Sequence, residues 1–298
     1  MTMNKTKFMF LCASTALVMW SCGDSEQNDE LAQPETAQAE TKPAPANETF
    51  FQVPSPGEML TFIKMVGDKQ IKNISFLNPT ANEKKYADAK SKAVNFGIYS
   101  CDLSYCSIFE IGSESLKYFK VVKTLGEQIG VSTAIKPEIL KRLEANIGKP
   151  DSLAVLTDDV YFSSFEALEA GNQGPTLAMV IAGGWIESMY IASNLMKFQA
   201  GSLLIDRIAD QKYTLENLVD YMKKYEEQPN IASVKKDFEA LLAEFNKIPE
   251  EDVAGAGNKD GGKVTIGGGK QLKMDEATFK AIVAKVAEIR NSYTQTTK

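Results

Sequence analysis

Hydrophobic side chains recur every three or four residues along most of the chain from Phe50 onward, the spacing of a helix with one buried face. Ser55-Pro56-Gly57-Glu58 is a capping box with proline at the first helical position, so a helix should begin there and stop near Gly67. The same spacing continues to Thr294. It predicts an all-α bundle of roughly eight to ten helices.

Caps and helix breakers predict where the later helices begin and end. We expect a long helix over residues 82–111, then helices over 115–130, 137–146 and 152–170, one capped by Thr214, one restarted at Pro229 and a last one capped by Asp275. The segment from Pro249 to Lys270 is rich in glycine and polar residues. Within residues 263–272 it is predicted to form a small hairpin before the last helix.

Two segments are apolar on nearly every face. Residues 176–198 surround a single acid, Glu187, and residues 93–111 surround Asp102. A helix of this kind belongs at the centre of a bundle or in a membrane. Residues 176–198 are long enough to span a bilayer. However, they carry a carboxylate in mid-span, and the amphipathic helices around them need a buried partner. We therefore expect a core position.

Small residues indicate how the two apolar helices meet. Gly184, Ser188 and Ala192 repeat every four residues, and Ser100 and Ser104 offer a similar face on the other helix. Such faces allow two helices to approach closely, so we expect the pair to pack against each other. Asp102 and Glu187 would then both lie in the interior.

A buried carboxylate must be paired, hydrogen-bonded or protonated. One hypothesis is a structural acid, bonded to a tyrosine or to a loop amide. The alternative is a polar spot in a ligand pocket with aromatic walls. The candidate ligand-binding residues are Asp102, Glu187, Tyr99, Tyr105, Trp185 and Tyr190.

Histidine is absent from the chain, which excludes every mechanism that needs an imidazole, including His-ligated metal sites. Cys101 and Cys106 are the only cysteines beyond the leader, and a spacing of five puts them ~140° apart on a helix. A disulfide between them is therefore not expected. Gly257-Asn258-Lys259-Asp260-Gly261-Gly262-Lys263 matches a phosphate-binding loop, but Val264 stands where serine or threonine is needed. We assign no catalytic residue, no metal and no cofactor.

The formal net charge is -6. Because the first 21 residues hold two lysines and no acid, the rest of the chain is more acidic still. An acidic body argues against nucleic acid as a partner and against electrostatic docking on anionic lipid.

Residues 1–21 have the features of an export signal, with Lys5 and Lys7 before an apolar run that is too short to span a membrane. The run ends in Met19-Trp20-Ser21-Cys22-Gly23. This resembles a lipobox, the site at which bacterial lipoproteins are cut before an acylated cysteine. The resemblance implies a signal peptide, acyl chains on Cys22 and attachment to a membrane.

Residues 22–49 should form a disordered tether, because residues 23–49 contain seven acids, three prolines and no aromatic residue. Acids just after Cys22 resemble the signal that sends some lipoproteins of Bacteroidota to the cell surface; an ordinary charged linker is the alternative. We expect residues 50–298 to form the helical domain. The expected location is the cell envelope, in the outer membrane, on its periplasmic face or at the cell surface.

The helical body resembles lipoproteins of Bacteroidota for which no activity is known. The sequence favours a non-catalytic envelope protein that binds a protein partner or a small ligand. Two alternatives stay open: an envelope enzyme that uses carboxylates or thiols, and a structural envelope component without a ligand.

Overall fold

A computed structural model of the chain describes residues 55–67, 72–131, 137–146, 149–253 and 269–295. These ranges contain ten α-helices, one 3₁₀ turn at Thr80–Lys85 and one antiparallel pair of strands. The helices are α1 Pro56–Val66, α2 Ala89–Ile108, α3 Gly112–Ile129, α4 Pro137–Ala145, α5 Pro150–Ala170, α6 Gly174–Leu195, α7 Leu203–Ala209, α8 Gln211–Lys223, α9 Pro229–Phe245 and α10 Glu276–Thr294. The strands are β1 Glu250–Val253 and β2 Gly269–Leu272. The predicted all-α multi-helix bundle is confirmed.

Helices α2 and α6 form the centre of the bundle, as their composition predicts. Every residue of α2 from Ala93 to Ile108 is buried, and so is every residue of α6 from Leu177 to Met189. Among the described residues, α6 is the one helix long and apolar enough to cross a membrane, but 83% of its most apolar window is buried inside the domain. It therefore has the surroundings of a core helix.

The two central helices touch backbone to backbone. A Cβ atom added to Gly97 would lie 2.0 Å from the carbonyl oxygen of Val180, and one added to Gly183 would lie 1.9 Å from that of Val94. Only glycine fits at such distances. The predicted α2–α6 packing is thus present, although Gly97 and Gly183 make the closest approach, whereas Gly184 faces Tyr161 and Pro56.

The remaining helices cover this central pair. Helices α1, α3 and α5 pack on α2, while α8, α9 and α10 pack on α6. Trp185 of α6 contacts two rings of α9, Phe238 at 5.8 Å and Phe245 at 6.3 Å between ring centroids. Each amphipathic helix therefore buries its apolar face against a shared core.

Several helix ends lie where the sequence places them. Ser55 caps α1 by accepting a hydrogen bond from the amide of Glu58 at 3.2 Å, and Asp275 caps α10 by accepting one from Thr278 at 2.7 Å. Gly130 ends α3 in the left-handed region at φ 89°. These caps satisfy amide groups that the helices leave free.

Two helix predictions are wrong in detail. The long helix expected over residues 82–111 is divided, because Asp88 accepts a hydrogen bond from the Ser91 amide at 2.9 Å and starts α2 anew after the 3₁₀ turn. Thr214 does not cap a helix: α8 begins at Gln211, and the short α7, capped by Ser202, precedes it.

The hairpin before α10 is wider than predicted. β2 lies inside the expected residues 263–272, but its partner β1 comes from Glu250–Val253. Glu250 holds the pair to the bundle, since its carboxylate contacts Lys212 of α8 at 3.2 Å and Lys270 of β2 at 3.1 Å. The glycine-rich residues 254–268, including the phosphate-loop match, lie outside the described residues.

Candidate functional site

The central helices bring both predicted carboxylates into the interior. Asp102 lies in the middle of α2 and Glu187 in the middle of α6, and neither has any exposed surface. Both are placed by the close contact of α2 with α6, which allows polar groups on the two helices to meet away from water. Asp102 and Glu187 are therefore neighbours in one charged cluster.

Arg290 of α10 supplies the positive charge of this cluster. Its Nε donates to Oε2 of Glu187 at 2.8 Å and its Nη2 donates to Oε1 at 2.9 Å, a two-pronged pair. Nη2 also donates to the carbonyl of Phe76 at 3.2 Å, and the guanidinium lies over the Tyr190 ring at 4.5 Å. A planar guanidinium can donate two parallel hydrogen bonds to a carboxylate and stack on an aromatic ring, so arginine suits this position better than lysine.

Asp102 is the second acid of the cluster and the less well paired one. Its Oδ2 accepts a hydrogen bond from the backbone amide of Asn78 at 3.2 Å, whereas Oδ1 is buried and has no donor among the described residues. Burial raises the pKa of Asp102 well above its ordinary value, and the negative charge of Glu187 adds to this, while Arg290 opposes it. A protonated Asp102 fits both facts, since its hydroxyl would donate to Glu187.

With Asp102 neutral, the cluster holds one negative and one positive charge. Three helices far apart in sequence, α2, α6 and α10, then share one hydrogen-bonded group inside the core. The arrangement joins helices; none of the carboxylate surface of Asp102 or Glu187 is open to a substrate.

The predicted aromatic residues have separate partners. Tyr99 donates to the carbonyl of Pro79 and Tyr105 to that of Asn73, each at 2.9 Å, while Trp185 Nε1 donates to Gln211 Oε1 at 3.1 Å. Tyr190 lies against the charged cluster, since its ring contacts Arg290. Tyr99 and Tyr105 therefore hold the loop before α2 against the bundle. The same loop supplies the backbone amide of Asn78, which donates to Asp102.

A buried amide network continues from Asp102 toward the end of α10. The Asn78 side chain donates to Tyr86 at 3.0 Å and to Asn95 at 3.3 Å, and Asn95 donates to the carbonyl of Tyr293 at 3.0 Å. Asn78 and Asn95 are both fully buried. Because their polar atoms find partners within the protein, this network specifies how α2 and α10 sit together.

Sequence reasoning missed Arg290 and Asn78. A signal for Arg290 exists, because it follows Ile282 and Val286 at helical spacing on the apolar face of α10. A cation at that position needs a buried acid, and the chain offers two. Asn78 sits in a loop next to Pro79, where no periodic pattern points inward.

The two domain cysteines are free and fully buried. Burial raises the pKa of Cys101 well above its ordinary value, and the negative charge of Glu187 raises it further. Burial likewise raises the pKa of Cys106. The thiolate is the reactive form of cysteine. Both thiols are buried and have a raised pKa, so neither is suited to act as a nucleophile.

We expect Asp102→Asn to leave stability unchanged near pH 4 and to increase it relative to wild type at higher pH. The folded protein keeps the Asp102 proton above the unfolded pKa of about 3.9, whereas the unfolded chain releases it. Wild-type stability therefore falls with rising pH, by up to about 1.4 kcal/mol per pH unit, until the folded pKa is passed.

Urea unfolding of both proteins at several pH values, followed by Trp185 fluorescence, measures this difference. Titrations of groups that do not interact with Asp102 are common to both proteins and cancel. A wild type that becomes more stable than Asp102→Asn as pH rises would contradict the protonated state.

Comparisons of the chain with protein-family models, with curated proteins and with solved structures found no match.

Proposed function

We propose that this chain is a lipoprotein of a bacterial cell envelope, held in the outer membrane by acyl groups on Cys22, and that its helical domain acts by binding a protein partner or a small ligand. The observation that carries the proposal is the order of its first segments. A basic start and an apolar run lead to Met19-Trp20-Ser21-Cys22-Gly23, and an acidic segment follows. This is the layout of an acylated, tethered domain.

Binding is favoured over catalysis because the central carboxylates and the thiols, which an enzyme without histidine would use, are buried. Asp102 and Glu187 are enclosed, and Glu187 is paired with Arg290. Cys101 and Cys106 are buried as well. A catalytic group has to reach its substrate. A carboxylate- or thiol-dependent enzyme is therefore the less supported alternative, and a structural envelope component without a ligand is the other.

Growth of a Bacteroidota host with an alkyne-bearing fatty acid tests the anchor. Wild type should carry the label and sediment with membranes, whereas Cys22→Ser should lose the label and keep its signal peptide. Cys12→Ser is the matched control, because Cys12 lies in the leader and should not be acylated. A wild-type protein that is cleaved and secreted without label would overturn the proposal.

A further inference from the structure

Three large apolar side chains are exposed at the end of α1 and the start of α7. Met65 is 68% exposed, Val66 43% and Leu203 65%. Val66 and Leu203 line an open groove of about 730 Å³, whose other apolar walls include Met196 and Phe198. We call Met65, Val66 and Leu203 the apolar rim. Most of the surface of Met65 and Leu203 is in water, which is unfavourable unless the rim meets an apolar partner.

The charge around the groove differs from that of the whole chain. The chain has a net charge of -6, yet among the described residues that line the groove Lys197 is the one that carries a charge. A lysine beside apolar side chains can keep its stem in an apolar layer while its ammonium group stays in water. This combination suits the boundary between the acyl chains and the headgroups of a bilayer.

The tether places a bilayer within reach of the rim. Residues 23–54 lie between Cys22 and the cap of α1, and the tether that the sequence predicts after Cys22 would reach ~30 Å on flexible-coil scaling. Helix α1 has 11 residues, so the rim at its far end is only about 16 Å from where the tether joins it. A surface held this close has an effective concentration on the order of millimolar, so even weak contact would be populated.

We infer that the apolar rim inserts into the surface of the same membrane that holds Cys22, and so fixes which face of the domain points away from the membrane. The inference rests on the proposed lipid anchor. Contact is mainly apolar, which is consistent with the acidic composition of the chain, since attraction to anionic lipid is not required.

An anchor that does not depend on acylation separates the two proposals. Residues 49–298 form one compact unit, so this domain can be given an N-terminal histidine tag and held on vesicles of phosphatidylcholine and phosphatidylethanolamine that contain a nickel-chelating lipid. A negative result on these vesicles would contradict only the insertion of the rim. The fatty-acid labelling of Cys22 tests only the lipid anchor.

The buried native cysteines allow a single surface label. Leu203→Cys is labelled with an environment-sensitive dye, and Val155→Cys on α5 is the matched control, because Val155 is 59% exposed. On the vesicles, the dye at residue 203 should shift its emission to shorter wavelength, brighten several-fold and be quenched by brominated acyl chains. The dye at residue 155 should not respond.

A second pair of variants guards against effects of the dye. With the label moved to Met65→Cys, Leu203→Asp should abolish the response and Val155→Asp should keep it; Trp185 fluorescence checks that each variant is folded. Equal responses at residues 203 and 155 overturn the inference, and so does no response at either. A response that appears without vesicles and grows with protein concentration also overturns it, since the rim would then bind a second copy of the chain.

Discussion

Arg290→Met should lower the free energy of unfolding by about 3–5 kcal/mol, the cost of leaving a buried carboxylate without its cation. Glu187 has no exposed surface and accepts two hydrogen bonds from the guanidinium of Arg290. Asp102, its neighbour, also loses the positive charge that opposes the rise of its pKa. Methionine keeps an apolar stem about as long as the aliphatic part of arginine, so we expect most of the loss to be electrostatic. Urea unfolding followed by Trp185 fluorescence measures it.

Three further variants show whether the unpaired charge is the cause. Arg142→Met is the matched control at an exposed arginine and should change stability by about 0.5 kcal/mol or less. Glu187→Met combined with Arg290→Met removes both charges and should recover most of the loss. Arg290→Lys keeps the charge but not the two-pronged geometry and should lie in between. If the double variant is no more stable than Arg290→Met, lost packing is the cause.

Gly183→Ala should destabilise the domain by about 3 kcal/mol, at the upper end of the range for overpacked cores. The new Cβ would lie 1.9 Å from the carbonyl oxygen of Val94. An ordinary carbon–oxygen contact is about 3.3 Å, so α2 and α6 would have to separate by roughly 1.4 Å. The clashing atom belongs to the backbone, so no side-chain rotation can relieve the clash. Moving the two helices apart would loosen the packing at the centre of the bundle. Thermal unfolding followed by circular dichroism measures the effect.

Gly171→Ala is the matched control for this prediction. Its added Cβ would have its nearest neighbour at 3.2 Å, and its φ of -83° suits any residue. It should therefore be tolerated. Gly97→Ala should resemble Gly183→Ala, because it meets the carbonyl of Val180 at 2.0 Å. Tolerance of alanine at residue 183 equal to that at residue 171 would mean that the two helices are farther apart than described.

The sequence predicts the class of fold and the two helices at its centre, because helical periodicity and length carry that information locally. It does not predict which face of α6 packs against α2. A helix that is apolar on every side has no preferred face, so Gly183 and Gly184 are equivalent in the sequence, although a Cβ on Gly183 would meet the Val94 carbonyl of α2 and one on Gly184 would first meet Tyr161 and Pro56. The burial of Asp102 and Glu187 could be predicted for the same reason, since each sits inside an apolar helix.

The partners of these acids could not be predicted in the same way. Glu187 and Arg290 are 103 residues apart, and a cation on an amphipathic helix usually faces water. Tyr99 and Tyr105 bind loop carbonyls, whose positions follow no periodic pattern. β1 contains Glu250 and Glu251, a composition unfavourable for a strand, and its pairing depends on Lys212 and Lys270 from elsewhere in the chain.

The distance in sequence between Glu187 and Arg290 also bears on the order in which the protein folds. A chain that packed α2 against α6 before α10 was in place would bury Glu187 without its cation. We therefore expect the α2–α6 contact to become stable only once α10 has docked, and this dependence on a distant segment should slow folding.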